Sequence, residues 1–250
     1  MAAFQTAPSR SCHSFHGYFL RPGLPEKTIL YEVDRARDGK SFATRRVVGI
    51  QDGLAIFNML ASFQKNEAGL NHQFDMPSIS GADQLPTDEE RLSRDRDLLS
   101  SDQQKMLDRV RPIEIRRLEE QDFTKPKKMP PVQHIWLRCK LALSGDVSEH
   151  QSLLAYASDM GLLSTASFPH GLSWLKGLQT ASLDHSMWFH DEFKIDEWVL
   201  AVIESPVSAR GRGFNRGLIY SRDGKLVASV SQEGLMRLSR QQNHLQDDFG

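Results

Sequence analysis

The stretch HQSLLAYASDMGLLST, residues 150–165, has the composition of a helix that is buried on all sides. A helix on the surface of a domain carries one apolar stripe, whereas apolar residues all round the axis indicate complete burial. The apolar residues of the stretch are Leu153, Leu154, Tyr156, Ala157, Met160, Leu162 and Leu163. We therefore expect a central helix over residues 150–165, with the other elements wrapped round it.

Segments that alternate apolar and polar residues lie on both sides of this helix and predict an antiparallel sheet. Asp52-Gly53 and Asp223-Gly224 separate pairs of these segments, and Asp-Gly is typical of a tight hairpin turn. The predicted strands are TILYEVDRAR (28–37), FATRRVVGIQ (42–51), LAIFNMLASFQ (54–64), IEIRRL (113–118), HIWLRCKLAL (134–143), TASLDHSMWFH (180–190), WVLAVIESPV (198–207), FNRGLIYSRD (214–223) and KLVASVSQEGLMRL (225–238). The chain is therefore expected to form strand meanders before and after the helix.

Residues 77–110 are polar and charged, and we interpret them as a connector between two halves. Within them Thr87 and Glu90 have the spacing of a capping box, which predicts that a surface helix starts there. The charge runs of this segment are interpreted as a solvated helix face.

The two halves of the chain repeat at an offset of about 170 residues, which indicates a duplication. The matching pairs are segments 16–19 and 185–189, the strands ending at Val33 and Ile203, the strands of Arg46 and Arg216, and the two Asp-Gly turns. In the second copy the buried helix precedes its meander. The same arrangement would place the first copy's helix roughly 5 to 20 positions ahead of residue 1.

The first repeat is therefore expected to be N-terminally truncated, with residues 1–10 as the frayed end of its helix. Phe57, Leu60 and their neighbours would then lack an apolar partner. For that reason we expect the chain to be poorly soluble or weakly active alone, and an upstream extension of about 60 residues to restore both.

Composition excludes several classes of protein. The chain has 250 residues, 39% hydrophobic and 25% charged, and its 31 Lys and Arg nearly balance 32 Asp and Glu, so no net field favours nucleic acid. Cys12 and Cys139 lack metal-ligand spacing. No apolar run reaches the roughly 18 residues of a membrane span, and residues 1–10 lack the apolar core of a secretory signal. We expect an intracellular protein of the cytoplasm or peroxisome, although its last residues are not a peroxisomal tripeptide.

Several long motifs make the chain similar to the type II acyl-CoA thioesterases of bacteria and peroxisomes. These motifs are HSFHGYFLRPG (13–23), YEVDRARDGKSFATRRV (31–47), ASFQ (61–64), RPIEIR (111–116), LLAYASDMGLL (153–163), SLDHSMWFH (182–190) and SQEGLMR (231–237). The resemblance implies an α+β double hot-dog fold, in which two antiparallel sheets each wrap a central helix. It also implies an acyl-CoA substrate, a homo-oligomer and no cofactor or metal. The expected domains are a partial hot-dog over 1–76, the connector over 77–110, a catalytic hot-dog over 111–240 and a tail over 241–250.

The resemblance further implies three catalytic residues, namely Asp159 on the central helix, Ser182 at the start of the next strand and Gln232 on the last strand. Asp159 would need hydrogen bonds from the sheet, because a carboxylate on an apolar helix is costly to bury. Strict alternation puts Ser182 on the opposite face from His185. A bulge or a later strand start is needed to turn Ser182 towards Asp159.

Polar residues next to Ser182 allow other interpretations. A metal site with His185 and His190 is disfavoured, because residues five apart on a strand lie on opposite faces. A Ser-His-Asp triad with Asp184 is disfavoured, because neighbours on a strand point apart. We interpret Asp184 and His185 as residues that satisfy backbone or cross-repeat polar groups near an acyl tunnel.

Basic residues could meet the phosphates of coenzyme A. Arg210, Arg212 and Arg216 lie in a loop with glycines, and a second group contains Lys40, Arg45 and Arg46. Either group could instead be solvated surface charge.

Two other functions stay open at this point. A hot-dog hydratase or dehydratase would use a His-Asp pair on the helix, but the nearest histidine, His150, is nine residues before Asp159. A non-catalytic acyl-CoA-binding or oligomerisation module is the other alternative. Thiol release from a medium-chain acyl-CoA separates hydrolysis from both.

Overall fold

A computed structural model describes residues 1–94, 96–101, 104–105, 111–119, 121–122, 124–173, 175 and 177–238. Within these residues, no helix is long and apolar enough to cross a membrane. The α-helices whose bounds are described are α1 (Asp88–Arg94) and α2 (Val147–Ala157), and 3-10 helices span Phe4–Thr6, Ala82–Gln84, Arg96–Leu98 and Leu163–His170. The strands are β1 (Ser11–Phe19), β2 (Leu30–Asp38), β3 (Phe42–Gln51), β4 (Leu54–Gln64), β5 (Ile113–Arg117), β6 (Val132–Cys139), β7 (Leu178–Ser182), β8 (Asp184–Phe189), β9 (Val199–Ala209), β10 (Arg212–Ser221) and β11 (Leu226–Leu238).

All of these strands belong to one antiparallel sheet in the order β2-β3-β4-β1-β8-β11-β10-β9-β6-β5, with β7 paired to β11. The order β2-β3-β4-β1 is mirrored by β9-β10-β11-β8, as the sequence duplication predicts. The two halves join where β1 pairs with β8, and there His16 lies opposite Ser186, its equivalent in the second half. The junction therefore lies close to a local twofold axis.

Local sequence signals are confirmed at the turns. Asp52 and Gly53 have φ of 50° and 75°, which is the backbone of the tight hairpin that joins β3 to β4. Gly224 has φ of 89° in the second predicted hairpin. The capping box is present, because Thr87 Oγ1 accepts from Glu90 N at 3.0 Å and Glu90 Oε2 accepts from Thr87 N at 2.8 Å.

The predicted central helix is wrong at both ends. Helix α2 begins at Val147, where Asp146 accepts from Ser148 N at 2.7 Å, and it ends at Ala157. The chain then turns, because Gly161 has φ of 97°, a backbone conformation that stops an α-helix. Asp159 consequently lies in the turn after the helix. Nor is the helix buried on all sides, since Tyr156 is 50% exposed.

A buried glutamine fixes α2 to the first half of the sheet. Gln151 Oε1 accepts from Cys12 N at 3.1 Å, and Gln151 Nε2 donates to Cys12 O at 2.8 Å. Both residues are buried, so the pair satisfies backbone groups that would otherwise be costly to leave unbonded. The turn after α2 is thereby held over the junction of β1 and β8.

The connector packs on the outer face of the second half of the sheet, and is therefore more than a solvated segment. Trp136 Nε1 donates to Ser80 O at 3.0 Å, and Ala82 is buried in a cluster with Trp136, Trp198 and Tyr220. In α1, Asp88 forms an ion pair with the buried Arg117 at 2.9 Å. The parts of the predicted connector at 95, 102–103 and 106–110 lie outside the described residues.

Residues 1–7 pack on the inner face of the first half. Ala3 and Ala7 are buried there, and Phe4 makes an edge contact with Phe63 at 5.1 Å between ring centroids. The buried Arg45 donates to Thr6 O at 2.7 Å and to Thr6 Oγ1 at 2.8 Å. Arg45 therefore anchors this segment, and its guanidinium is not available for a phosphate.

Gly161→Ala is expected to lower the free energy of unfolding by about 2–4 kcal/mol, because alanine is strained at positive φ and its Cβ has no space. A Cβ at Gly161 would lie 2.5 Å from Arg117 Nη1 and 2.8 Å from Ile135 Cδ1. Gly69→Ala is the control, since a Cβ at Gly69 has no atom within 4 Å. Denaturant unfolding measures both variants, and equal stabilities would contradict the role given to Gly161.

Candidate active site

A one-residue bulge between β7 and β8 brings Ser182 to the inner face of the sheet. Both strands pair with β11, where Ser182 lies opposite Gly234 and Ser186 lies opposite Ser231. Four residues on one strand therefore span three on the other, which reverses the alternation of side chains. Ser182 and His185 consequently lie on the same face of the sheet. Strict alternation predicted opposite faces, and the bulge is the irregularity that was needed to turn Ser182 towards Asp159.

The three residues predicted to be catalytic meet at this face. Gln232 Nε2 donates to Ser182 Oγ at 2.6 Å, and Ser182 Oγ donates to Asp159 Oδ1 at 3.4 Å. The run continues behind Gln232, because His185 Nδ1 lies 2.7 Å from Gln232 Oε1 and His185 Nε2 lies 2.9 Å from Ser158 Oγ. A turn and three strands thus bring five polar side chains into one continuous hydrogen-bonded run.

Burial decreases along this run. Gln232 is 0% exposed and His185 is 5% exposed, so their polar atoms depend on each other for hydrogen bonds. Ser182 is half-buried, and Asp159 is exposed. The expectation that Asp159 is buried in the helix is therefore wrong, because the turn at Gly161 carries its carboxylate to the surface of a cavity.

Asp159 lies where two cavities meet. An apolar groove of about 950 Å³ runs along the inner face of the first half, with Asp159 and Met160 in its wall. A smaller cavity of about 260 Å³ also contains Asp159, Met160 and Arg111 in its wall, together with Ser182. The aromatic and aliphatic side chains of the groove include Phe15, Phe57, Met59, Phe63, Ala155 and Phe189. A substrate with an apolar chain and a polar arm could therefore place its central group at Asp159.

The neighbours of Ser182 have structural partners. Asp184 Oδ1 accepts from Glu233 N at 2.7 Å, and His190 Nε2 lies 2.8 Å from Ser229 Oγ. Burial lowers the pKa of His190. Within the described residues, no group of three His, Cys, Asp or Glu side chains could hold a metal ion.

His150 is occupied away from the candidate site. Its Nδ1 accepts from Ile195 N at 3.2 Å and lies 3.9 Å from Asp196 Oδ1. The helix therefore carries no His-Asp pair with Asp159, which argues against the hydratase or dehydratase alternative.

Two of the three predicted phosphate-binding arginines form ion pairs with glutamates of neighbouring strands. Arg212 Nε is 2.9 Å from Glu233 Oε1, and Arg216 Nε is 2.5 Å from Glu204 Oε1. Arg216 and Glu204 are direct neighbours across β10 and β9. Arg210 lies in the turn between these strands, with φ of 51°, beside a cavity of about 460 Å³ that Arg212, Lys128 and His170 also line.

His185 and Ser158 belong to the hydrogen-bonded run, although sequence reasoning gave neither a part in the chemistry. The signal for His185 is its spacing, because it shares a strand face with the buried Met187 and Phe189. A histidine at a core position needs hydrogen-bond partners on both ring nitrogens. The sequence around Ser158 gives no comparable indication, since a serine that follows an apolar helix is common and has no required partner.

A nucleophilic cysteine is disfavoured by the surroundings of Cys12. Its thiol lies in the groove wall, where burial raises its pKa to about 12. Its Sγ donates to Ser14 O at 3.4 Å. The thiolate, which is the nucleophilic form, is therefore scarce near neutral pH.

Comparison with known proteins gives consistent matches over both halves. A family profile described as acyl-CoA thioesterase matches residues 103–235, and one described as acyl-CoA thioesterase N-terminal domain matches residues 1–64. Acyl-CoA thioesterase 2 of Haemophilus influenzae is 37% identical over 240 residues, which cover 95% of this chain and 84% of that protein.

Solved structures of related proteins have a similar fold. The crystal structure of acyl-CoA thioesterase II TesB2 from Mycobacterium marinum is 37% identical, with a TM-score of 0.76 over 93% of this chain and 83% of that one. A hot dog fold protein from Alicyclobacillus acidocaldarius is 15% identical, with a TM-score of 0.69 over 91% of this chain and 79% of that one. This last likeness shows the hot-dog fold alone.

Iodoacetamide at pH 8 is expected to leave Cys12 unmodified in the folded protein, because its raised pKa keeps the thiol protonated. The same treatment in guanidinium chloride should modify Cys12, which provides the control. Mass spectrometry of the peptide that contains Cys12 measures both. Rapid stoichiometric labelling of the folded protein would show that the thiol is reactive after all.

Proposed function

This chain belongs to the acyl-CoA thioesterase family, and we propose that it hydrolyses fatty acyl-CoA to a free fatty acid and coenzyme A with a water molecule activated by Asp159. The observation that carries this proposal is the position of the Asp159 carboxylate. It is exposed at the meeting point of an apolar groove and a smaller cavity, and it ends a run of hydrogen bonds from Ser182 and Gln232.

In the proposed reaction Asp159 acts as general base. Its carboxylate accepts a proton from water while the water oxygen attacks the thioester carbonyl carbon. The carbon–sulfur bond then breaks, and the leaving thiolate takes up the proton to give coenzyme A and the carboxylic acid. No covalent acyl-enzyme forms in this scheme.

Ser182 and Gln232 supply orientation in this proposal. Ser182 contacts the Asp159 carboxylate directly, and Gln232 holds the Ser182 hydroxyl from a fully buried position. A water that must attack one carbonyl carbon gains most from a base held in one orientation. The serine and the glutamine thus hold the carboxylate and its water together.

The polarity of the two cavities suggests how the substrate binds. The acyl chain lies in the apolar groove, where aromatic side chains remove it from water. The thioester lies at Asp159, and the pantetheine arm leaves through the smaller cavity. Leu178 lines both that cavity and the one beside Arg210 and Lys128, so these two cations are the proposed contacts of the coenzyme A phosphates.

The domain division is also a proposal. We assign a first hot-dog unit to residues 1–76, the connector to 77–110 and a second hot-dog unit with the proposed catalytic residues to 111–240, which together make a double hot-dog. The mirrored strand order about the β1–β8 junction supports two related units. The tail at 241–250 lies outside the described residues, and the homo-oligomer stays a prediction.

Asp159→Asn is expected to lower kcat for a medium-chain acyl-CoA by roughly 100- to 10,000-fold, since the amide cannot accept the proton of the attacking water. Thiol release measured with a chromogenic disulfide gives kcat and KM. Asp52→Asn is the matched control, because Asp52 lies in an exposed hairpin and pairs with Lys27. Turnover within a few-fold of the unsubstituted protein would rule out Asp159 as the base.

Ala155→Phe is expected to lower kcat/KM for palmitoyl-CoA relative to butyryl-CoA by at least roughly tenfold, because the larger side chain fills part of the groove. Val207→Phe, on an exposed part of β9, should leave the ratio unchanged. An equal loss with both substrates would mean that the acyl chain lies elsewhere.

A further inference from the structure

We propose that His185 is a positioning residue that fixes the orientation of the Gln232 amide through a one-directional run of hydrogen bonds from Ser158 to Asp159. The proposal rests on the function proposed above and adds a residue to it. His185 lines the groove, but it is only 5% exposed and both of its ring nitrogens have protein partners, so its effect on the reaction passes through Gln232 and Ser182.

The protons available to Ser158 and His185 limit the directions of the hydrogen bonds between them. Ser158 has a single hydroxyl proton, and its Oγ lies 2.9 Å from both Ala155 O and His185 Nε2. A neutral imidazole has one N–H and one acceptor nitrogen. His185 can therefore donate at only one end, either to Gln232 or to Ser158.

Two arrangements satisfy this count. In the first, Ser158 donates to Nε2 of His185, and Nδ1–H of His185 donates to Gln232 Oε1. The Gln232 amide nitrogen then donates to Ser182 Oγ. In the second, the amide is flipped, His185 donates to Ser158, and Ser158 donates to Ala155 O.

The carboxylate of Asp159 selects the first arrangement. An ionised carboxylate can only accept, so the Ser182 proton must point to it for the contact at 3.4 Å to be favourable. Ser182 Oγ must then receive its own hydrogen bond, which the Gln232 amide nitrogen supplies at 2.6 Å. In the flipped arrangement the Ser182 proton would go to the Gln232 oxygen, and Asp159 would lose its hydrogen bond from Ser182.

Packing holds the imidazole in place. His185 is 5% exposed and stacks on Phe15 of β1, with ring centroids 5.9 Å apart and planes at 21°. Phe15 also contacts Phe189, in the wall of the groove. The ring therefore has little freedom, and the orientation of the amide follows from which nitrogen carries the proton.

A matched pair of substitutions separates this role from a merely structural one. In His185→Asn the side-chain amide nitrogen lies close to the position of Nδ1, and in His185→Gln it lies close to that of Nε2. Both residues are polar and smaller than or similar to histidine, so the two variants should lose comparable packing.

His185→Asn is expected to keep kcat within roughly tenfold of the unsubstituted protein, and His185→Gln to lose roughly 100-fold, with KM for the acyl-CoA nearly constant in both. Thermal unfolding checks that the two variants are folded to the same extent. Equal kcat in the two variants, or a change confined to KM, would overturn the proposal.

The tautomer itself can be measured in the unsubstituted protein. Nitrogen-15 and carbon-13 NMR of labelled histidine should show that His185 carries its proton on Nδ1 and that Nε2 is the acceptor. An Nε2–H form would overturn the proposal even if the variants fail to fold. If Asp159→Asn loses activity but the two His185 variants do not differ, the positioning role of His185 is wrong and the proposed function is still supported.

Discussion

The one-residue offset between β7 and β8 along β11 is the constraint on which the candidate site depends. Without it, side-chain alternation would carry Ser182 to the opposite face from His185, and Gln232 would have only one of its two partners. The offset lets a single strand, β11, place Gln232 between a serine from β7 and a histidine from β8. In this position the buried side-chain amide of Gln232 has a hydrogen-bond partner for its oxygen and another for its nitrogen.

The site is also asymmetric within a nearly symmetric sheet. The second half supplies the polar run and the turn after α2, while the first half supplies Phe15 and much of the apolar groove. The Gln151 pair with the backbone of Cys12 holds the two contributions in register. An exposed carboxylate with a rigid buried support suits a base that must meet both water and an apolar substrate.

Features that depend on a few neighbouring residues could be predicted from the sequence. The Asp52-Gly53 turn and the Thr87–Glu90 capping box are local, and the structure has both. The end of α2 at Ala157 could not be predicted from apolar periodicity, because Met160, Leu162 and Leu163 continue the apolar pattern through a turn in which Gly161 has positive φ. Likewise the ion pairs of Arg212 and Arg216 depend on the register of the strands, which cannot be read from the composition of the segment. The sequence indicates that a bulge or a later strand start is needed near Ser182. The position of the bulge could not be predicted, because it follows from the pairing of β7 and β8 with β11.

The measurement that tests the account most directly is a single turnover in water enriched in oxygen-18, with the protein in excess over acyl-CoA. If Asp159 activates water, the released fatty acid carries the heavy oxygen and the peptide containing Asp159 does not. An unlabelled fatty acid together with a labelled Asp159 peptide would contradict the account, because it would make the carboxylate the nucleophile of a covalent intermediate.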